Sequence, residues 1–226
     1  MFGIGIIIAT MILGAIGTIA INKSYSKWGG TPSSIGITGE QMARMMLQSY
    51  GVHDAKINII EGTLTDNFSP KDMTLNLSRE VALGTSVASH AVACHETGHY
   101  LQHLQGYAPL KIRSFLVPIT SFSSSICWLL LLVGIMFQAV GFMWIAIILY
   151  CISLLFSIIT LPVEFNASRR AVAFLDGQNG VLAGVQVPAW EMKGTREMLR
   201  SAALTYVMST FASVLNLVYL LLIARE

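Results

Sequence analysis

The chain has 226 residues, 54% hydrophobic and only 12% charged, about half the charged share of a soluble domain. A formal net charge of +2 gives no basis for a nucleic-acid partner, and three cysteines cannot all pair, so no disulfide framework is expected. The charges are also segregated: none occurs from Met1 to Asn22, from Ser114 to Val163, or from Ser201 to Ala224.

A helix rises about 1.5 Å per residue, so roughly 20 residues cross a ~30 Å hydrocarbon core. The first and third charge-free runs each fit one crossing. The middle run fits two with a tight turn, placed near Gln138 to Gly141 in "FQAVGFMW". Four spans follow, at about Phe2–Ile21, Val117–Phe137, Phe142–Leu161 and Ala203–Ile223. The first lacks the basic start of a secretion signal and its apolar stretch is too long for one, so it reads as an uncleaved anchor. With four spans, every Lys and Arg except Arg225 falls on one side, which the positive-inside bias makes cytoplasmic, with both termini outward. Cys127 and Cys151 sit in spans and read as small apolar residues.

Between the anchor and the hairpin the chain is polar. "NKSYSKWGGTPSS" reads as a linker. In "TGEQMARMMLQSYG", Thr38 and Gln41 have the spacing of a capping box and Gly51 fits a C-terminal stop, predicting a helix of about 12 residues. "AKINII" and "DMTLNLS" read as short strands, with "DNFSPKD" as the turn between strand regions. Ser86 to Gln105 reads as a helix ending at Gly106. Past the hairpin, "EFNASRRAVAFL" reads as a helix, "DGQNGVLAGVQVP" as a loop, and "TREMLRSAALTY" as the lead into the last span.

The helix near residue 95 carries "VACHETGHYLQHLQG", an H-E-x-x-H pattern at His95, Glu96 and His99. Residues four apart lie one above the other on a helix, so two imidazoles can reach one ion. Zinc favours three protein ligands and an open water position in catalytic sites. Glu96 points elsewhere around the helix and is placed as the base for that water. Thr97 and Gly98 keep the site uncrowded. Cys94 turns about 100° away from His95 and is not expected to join.

The third ligand has several candidates. A metzincin-like histidine is missing, since Gln102 and Gln105 occupy the positions that pattern needs. His103 lies eight residues beyond His95, about 12 Å in helix rise, too far for one ion to bind both. Asp176 in "FLDGQNG" looks like the Leu-Asp-Gly aspartate of intramembrane site-2 proteases, but the polar residues around His95 do not suit a helix buried in lipid. Glu164 in "LPVEFNASRRA" is favoured. It is the first charge after the hairpin, where it avoids the cost of a mid-bilayer carboxylate, and a hairpin returning to the same side brings it back beside the histidines. Ser168, four residues on, is placed to hydrogen-bond a ligand imidazole.

"HETGHYLQHLQGYAPLKIRS", "LPVEFNASRRA" and "DNFSPKDMTLNLS" together resemble the small membrane-bound neutral zinc metallopeptidases of bacteria and archaea, over nearly the whole chain. More distantly, the order of zinc helix, membrane hairpin and glutamate helix is similar to that of the HtpX-type membrane proteases and the prenyl-protein endopeptidases. The resemblance implies a mainly α, multi-pass membrane protein with four transmembrane helices and a gluzincin-like zinc-protease domain carrying a small β-sheet. It implies zinc held by His95, His99 and Glu164, with Glu96 as general base. Asn166, Ser168 and His103 are expected around the ligands, although gluzincins often carry an aspartate where Ser168 stands. "MTLNLS" would be the edge strand beside the zinc helix, with Thr74, Leu75 and Asn76 pairing with substrate backbone.

The domain plan is a 1–22 anchor, a 23–113 catalytic segment, a 114–163 hairpin, a 164–200 third-ligand helix and loop, and a 201–226 terminal helix. The expected partners are the lipid bilayer of the cell membrane and a peptide or membrane-protein substrate. An intramembrane protease built on Asp176 and a non-catalytic metal-binding scaffold remain as alternatives. His90, His103 and Tyr107 are candidates for polarising the scissile carbonyl. The substrate's identity and the oligomeric state are not written in the sequence.

Overall fold

The computed structural model describes residues 2–177 and 187–224. Residues 178–186 of the loop expected after Asp176, and Arg225, lie outside the described residues. Among the described residues, four helices are long and apolar enough to cross a membrane: Ile4–Gly29, Ala108–Met136, Val140–Leu175 and Ala189–Ile223. The chain divides into two compact units, one of residues 1–19, 108–162 and 204–226, the other of residues 20–107 and 163–203.

The first unit is built from α1 (Phe2–Gly29), α5 (Ala108–Met136), α6 (Val140–Leu175) and α7 (Ala189–Ile223), of which α1, α6 and α7 run on into the second unit. α5 and α6 form the predicted hairpin. Their contacts pair Ser124 with Ser153, Cys127 with the Ala146 carbonyl and Gly134 with Met143, which is antiparallel order. The turn falls slightly earlier than expected, at Phe137–Ala139, with Gln138 in the left-handed region at φ 51°. Cys127, Leu131, Ala146, Ile147 and Leu220 make the interior of this unit. Its outward residues are large and apolar, with Met11, Phe115 and Phe137 each about 70% exposed. A face of that kind suits hydrocarbon rather than water.

The second unit holds α2 (Gly39–Ser49), β1 (Lys56–Ile60), β2 (Asn67–Ser69), β3 (Thr74–Ser78), α3 (Arg79–Leu83) and α4 (Val87–Leu104). α2 begins with the predicted capping box. The Thr38 side chain accepts from the Gln41 N–H, and the Gln41 side chain accepts from the Thr38 N–H. Gly51 at φ +77° then ends the chain's helical run. Met42, Met46 and Leu47 of α2 face Leu101 of α4 and Phe174 of α6 in the main core, all essentially inaccessible.

The sheet corrects two expectations. "DNFSPKD" is not simply a turn, because Asn67–Ser69 forms β2. The strand order is β1-β3-β2, so β3 is the middle strand and not an edge. It pairs in parallel with β1 and in antiparallel with β2, where Ser69, Phe68 and Asn67 lie opposite Thr74, Leu75 and Asn76. Both sides of β3 are therefore taken, and the substrate-pairing role expected of Thr74, Leu75 and Asn76 is withdrawn. Thr74 and Leu75 are also buried. α3 is a short helix with no counterpart in the sequence reading. The Ser78 before it makes no side-chain cap, because its hydroxyl is committed to Asp66 at 3.1 Å.

The expected linker is helical up to Gly29, as the end of α1, and its remainder is strapped down. Ser33 donates its N–H to Thr85 O at 2.9 Å and Val87 donates to Thr31 O at 3.0 Å, tying it to the start of α4. The buried Glu191 at the start of α7 accepts from the Ser33 hydroxyl at 2.6 Å and the Ser34 N–H at 2.7 Å. His90 of α4 completes the clasp, its Nε2 lying 2.7 Å from Ile37 O.

Candidate metal centre

Ser86 starts α4, accepting with its hydroxyl from the Ser89 N–H. The helix is regular across the histidines, so His95 and His99 stand one turn apart with ring centroids 4.8 Å apart and edge to face. α6 crosses the same stretch. Gly98 lies against Ala167, and a Cβ added at Gly98 would sit 2.8 Å from Ala167 O and 3.1 Å from Ala167 Cα. Two small residues thus let the helix backbones meet where α4 offers its imidazoles and α6 offers Glu164. Backbone atoms cannot swing aside as a side chain can. Gly98→Ala is therefore expected to lower both thermal stability and zinc affinity, by about 1–3 kcal/mol for the overpacking. Thermal unfolding and zinc titration of the detergent-solubilised protein check this.

Glu164 Oε2 lies 3.2 Å from His95 Nε2 and 3.5 Å from His99 Nε2. The three side chains are 12%, 9% and 3% exposed for His95, His99 and Glu164. One donor atom from each lies within 4.8 Å of the others. The opposite edge of each ring is held. His95 Nδ1 meets Ser168 Oγ at 3.1 Å, and His99 Nδ1 meets Gln102 Oε1 at 3.0 Å. With Nδ1–H given to these oxygens, each neutral ring turns an unprotonated Nε2 toward a carboxylate. Facing lone pairs need a proton or a cation between them, and a two-His, one-carboxylate set is a zinc donor set. The residues fit the metal.

Glu96 is half-buried and is not one of the three converging donors. Burial pushes its carboxyl above the ordinary glutamate range, while the His99 and His95 imidazoles pull it part of the way back. His99 is pushed the other way by burial, but Glu164, Glu96 and Gln102 outweigh that and raise it. His90 is lowered, chiefly by burial.

The remaining expected residues separate clearly. Ser168 touches His95 as expected, and Asn166 reaches the site through Gln102. His103 does not surround the ligands. It is exposed, and its ring packs on Phe68 of β2 with centroids 5.7 Å apart. His90 is spent on Ile37, and Tyr107 closes the end of α4 with its N–H on Gln102 O at 2.9 Å. Cys94 is buried in the core, where burial raises its thiol. Asp176 pairs with Arg196 at 3.3 Å and lies twelve residues from Glu164, about 18 Å along the helix. Gln102 is the residue the sequence reading missed. Its signal was available: it stands at i+3 from His99, where helix side chains meet.

The family described as "Putative neutral zinc metallopeptidase" matches residues 4–225. The chain is 34% identical over 203 residues to a protein named "Putative membrane protease YugP" from Bacillus subtilis (strain 168), covering 90% of this chain and 88% of that one. No solved structure matches. A family match that runs from the first helix to the last and takes in His95, His99 and Glu164 places the chain in that zinc metallopeptidase family.

Proposed function

We propose that this protein is a membrane-anchored, zinc-dependent endopeptidase that hydrolyses peptide bonds with Glu96 as general base. The observation that carries the reading is the convergence of His95, His99 and Glu164 donors within 4.8 Å, with Glu96 one residue along the helix. Bound by those three side chains, zinc would act as a Lewis acid and bring the pKa of a bound water to about 7. The chain's own residues do the rest. Ser168 and Gln102 fix the rings so that Nε2 faces the ion. Glu96 takes the proton of the attacking water as its oxygen bonds to the carbonyl carbon, then returns that proton to the leaving nitrogen as the C–N bond breaks. Low exposure of the ligand set keeps competing water away and strengthens each charge.

Membrane anchoring is supported by the four long apolar helices and by the name of the Bacillus relative. The clustering of Lys and Arg on the His95 side supports a cytoplasmic setting for it. Peptides and membrane-protein segments close to the bilayer are the substrates within reach. Stripping the metal with a strong chelator is expected to abolish cleavage of a quenched fluorescent peptide, and zinc is expected to restore it. Cleavage that survives complete metal removal defeats the proposal. Stoichiometric zinc with no cleavage of any peptide panel favours the scaffold alternative.

A further inference from the structure

Gln102 has no exposed surface, and its amide is used on three sides. Its Nε2 lies 2.8 Å from Val163 O and 3.0 Å from Asn166 Oδ1. The Val163 carbonyl can only accept, so the NH2 group must face α6 and Oε1 must face His99. An oxygen opposite His99 Nδ1 requires that nitrogen to carry the proton. The amide's orientation on α6 therefore decides which nitrogen of His99 is left with a lone pair. Val163 and Asn166 bracket Glu164 in the sequence, so the same amide holds α6 on both sides of the carboxylate ligand. Arg170 extends the lattice, with Nε on Asn166 Oδ1 at 2.8 Å and Nη1 on Gln105 Oε1 at 2.7 Å.

We propose that Gln102 is a positioning residue that fixes the metal-binding tautomer of His99 and locks it to the placement of Glu164. The proposal rests on the zinc-peptidase reading above. Ser168 serves His95 from α6, whereas Gln102 serves His99 from α4 itself and grips the partner helix. Each ligand histidine is thus oriented by a different device: a hydroxyl reaching across from α6 for His95, and an amide of α4 itself, anchored on α6, for His99.

The test uses the full-length protein in detergent. Zinc affinity is read by competition with a chromophoric chelator, and ligand geometry by the visible spectrum after cobalt replaces zinc. Gln102→Met keeps the length of the side chain but neither accepts from His99 nor donates to Val163. Gln102→Glu keeps the acceptor opposite His99. The Met variant is expected to weaken zinc binding by about 10- to 100-fold and to alter the cobalt bands, while the Glu variant, which keeps the acceptor opposite His99 but not the donors to α6, loses less affinity. A merely structural role predicts the reverse order, because a buried carboxylate is costlier than a thioether. That reverse order, or wild-type affinity and spectrum in the Met variant, overturns the proposal. Should Gln102→Met fail to fold, Asn166→Ala at its half-buried position removes one anchor of the amide. It is expected to shift the cobalt spectrum in the same direction with a smaller loss of affinity, and an unchanged spectrum overturns the proposal. Wild-type protein that takes up neither zinc nor cobalt defeats the peptidase reading itself, and this inference with it.

Discussion

Glu96→Gln is expected to leave zinc content unchanged and to cut peptide hydrolysis by about 10²–10⁴-fold, the usual contribution of a general base. The converging donors belong to His95, His99 and Glu164, so a neutral amide at position 96 removes no ligand. Glutamine matches glutamate in length and shape and still offers an oxygen to a hydrogen-bonded water. It cannot hold the proton that the water must lose. Burial raises the Glu96 carboxyl above its ordinary range, which makes it a stronger acceptor once ionised, and a bound cation adds to the imidazoles in favouring that ionised form. Elemental analysis and turnover of a fluorogenic peptide measure the two halves separately. Wild-type turnover in the variant would remove Glu96 from the mechanism. Loss of zinc would make it a ligand instead.

Glu164→Ala is expected to strip the metal. This carboxylate is almost completely buried and lies against both ligand imidazoles. It supplies the only negative charge in the donor set, so its loss should weaken zinc by more than the roughly 10- to 100-fold typical of outer hydrogen-bond partners. Asp176→Ala is the control. It breaks an exposed ion pair with Arg196, where screening leaves little energy to lose, and it should keep full zinc. Zinc retained by the Glu164 variant and lost by the Asp176 variant would restore the intramembrane site-2 reading.

Much of this arrangement is legible in the sequence where the physics is local. The Thr38 and Gln41 capping box depends on one turn of chain, and the structure makes both of its hydrogen bonds. The His95 and His99 pair depends only on helical pitch. Glu164 was found by a longer step, since the hairpin's length requires the chain to return to the side it left. What failed to show needs tertiary partners. β2 is three residues long, too short for an alternating pattern, and exists because β3 offers a paired edge. The middle position of β3 follows from a parallel β1 partner that crosses over rather than from anything within "MTLNLS". Gln102 read as one more polar residue on a crowded helix. Only the Val163 carbonyl, 61 residues away, turns it into a buried connector.

His95 and Glu164 are separated by 69 residues, and the intervening chain is mostly the charge-free hairpin. Before that hairpin has been made, a nascent chain carries His95 and His99 without the Glu164 carboxylate that completes the donor set. The three-donor cluster therefore cannot form until the chain has been extended past the hairpin.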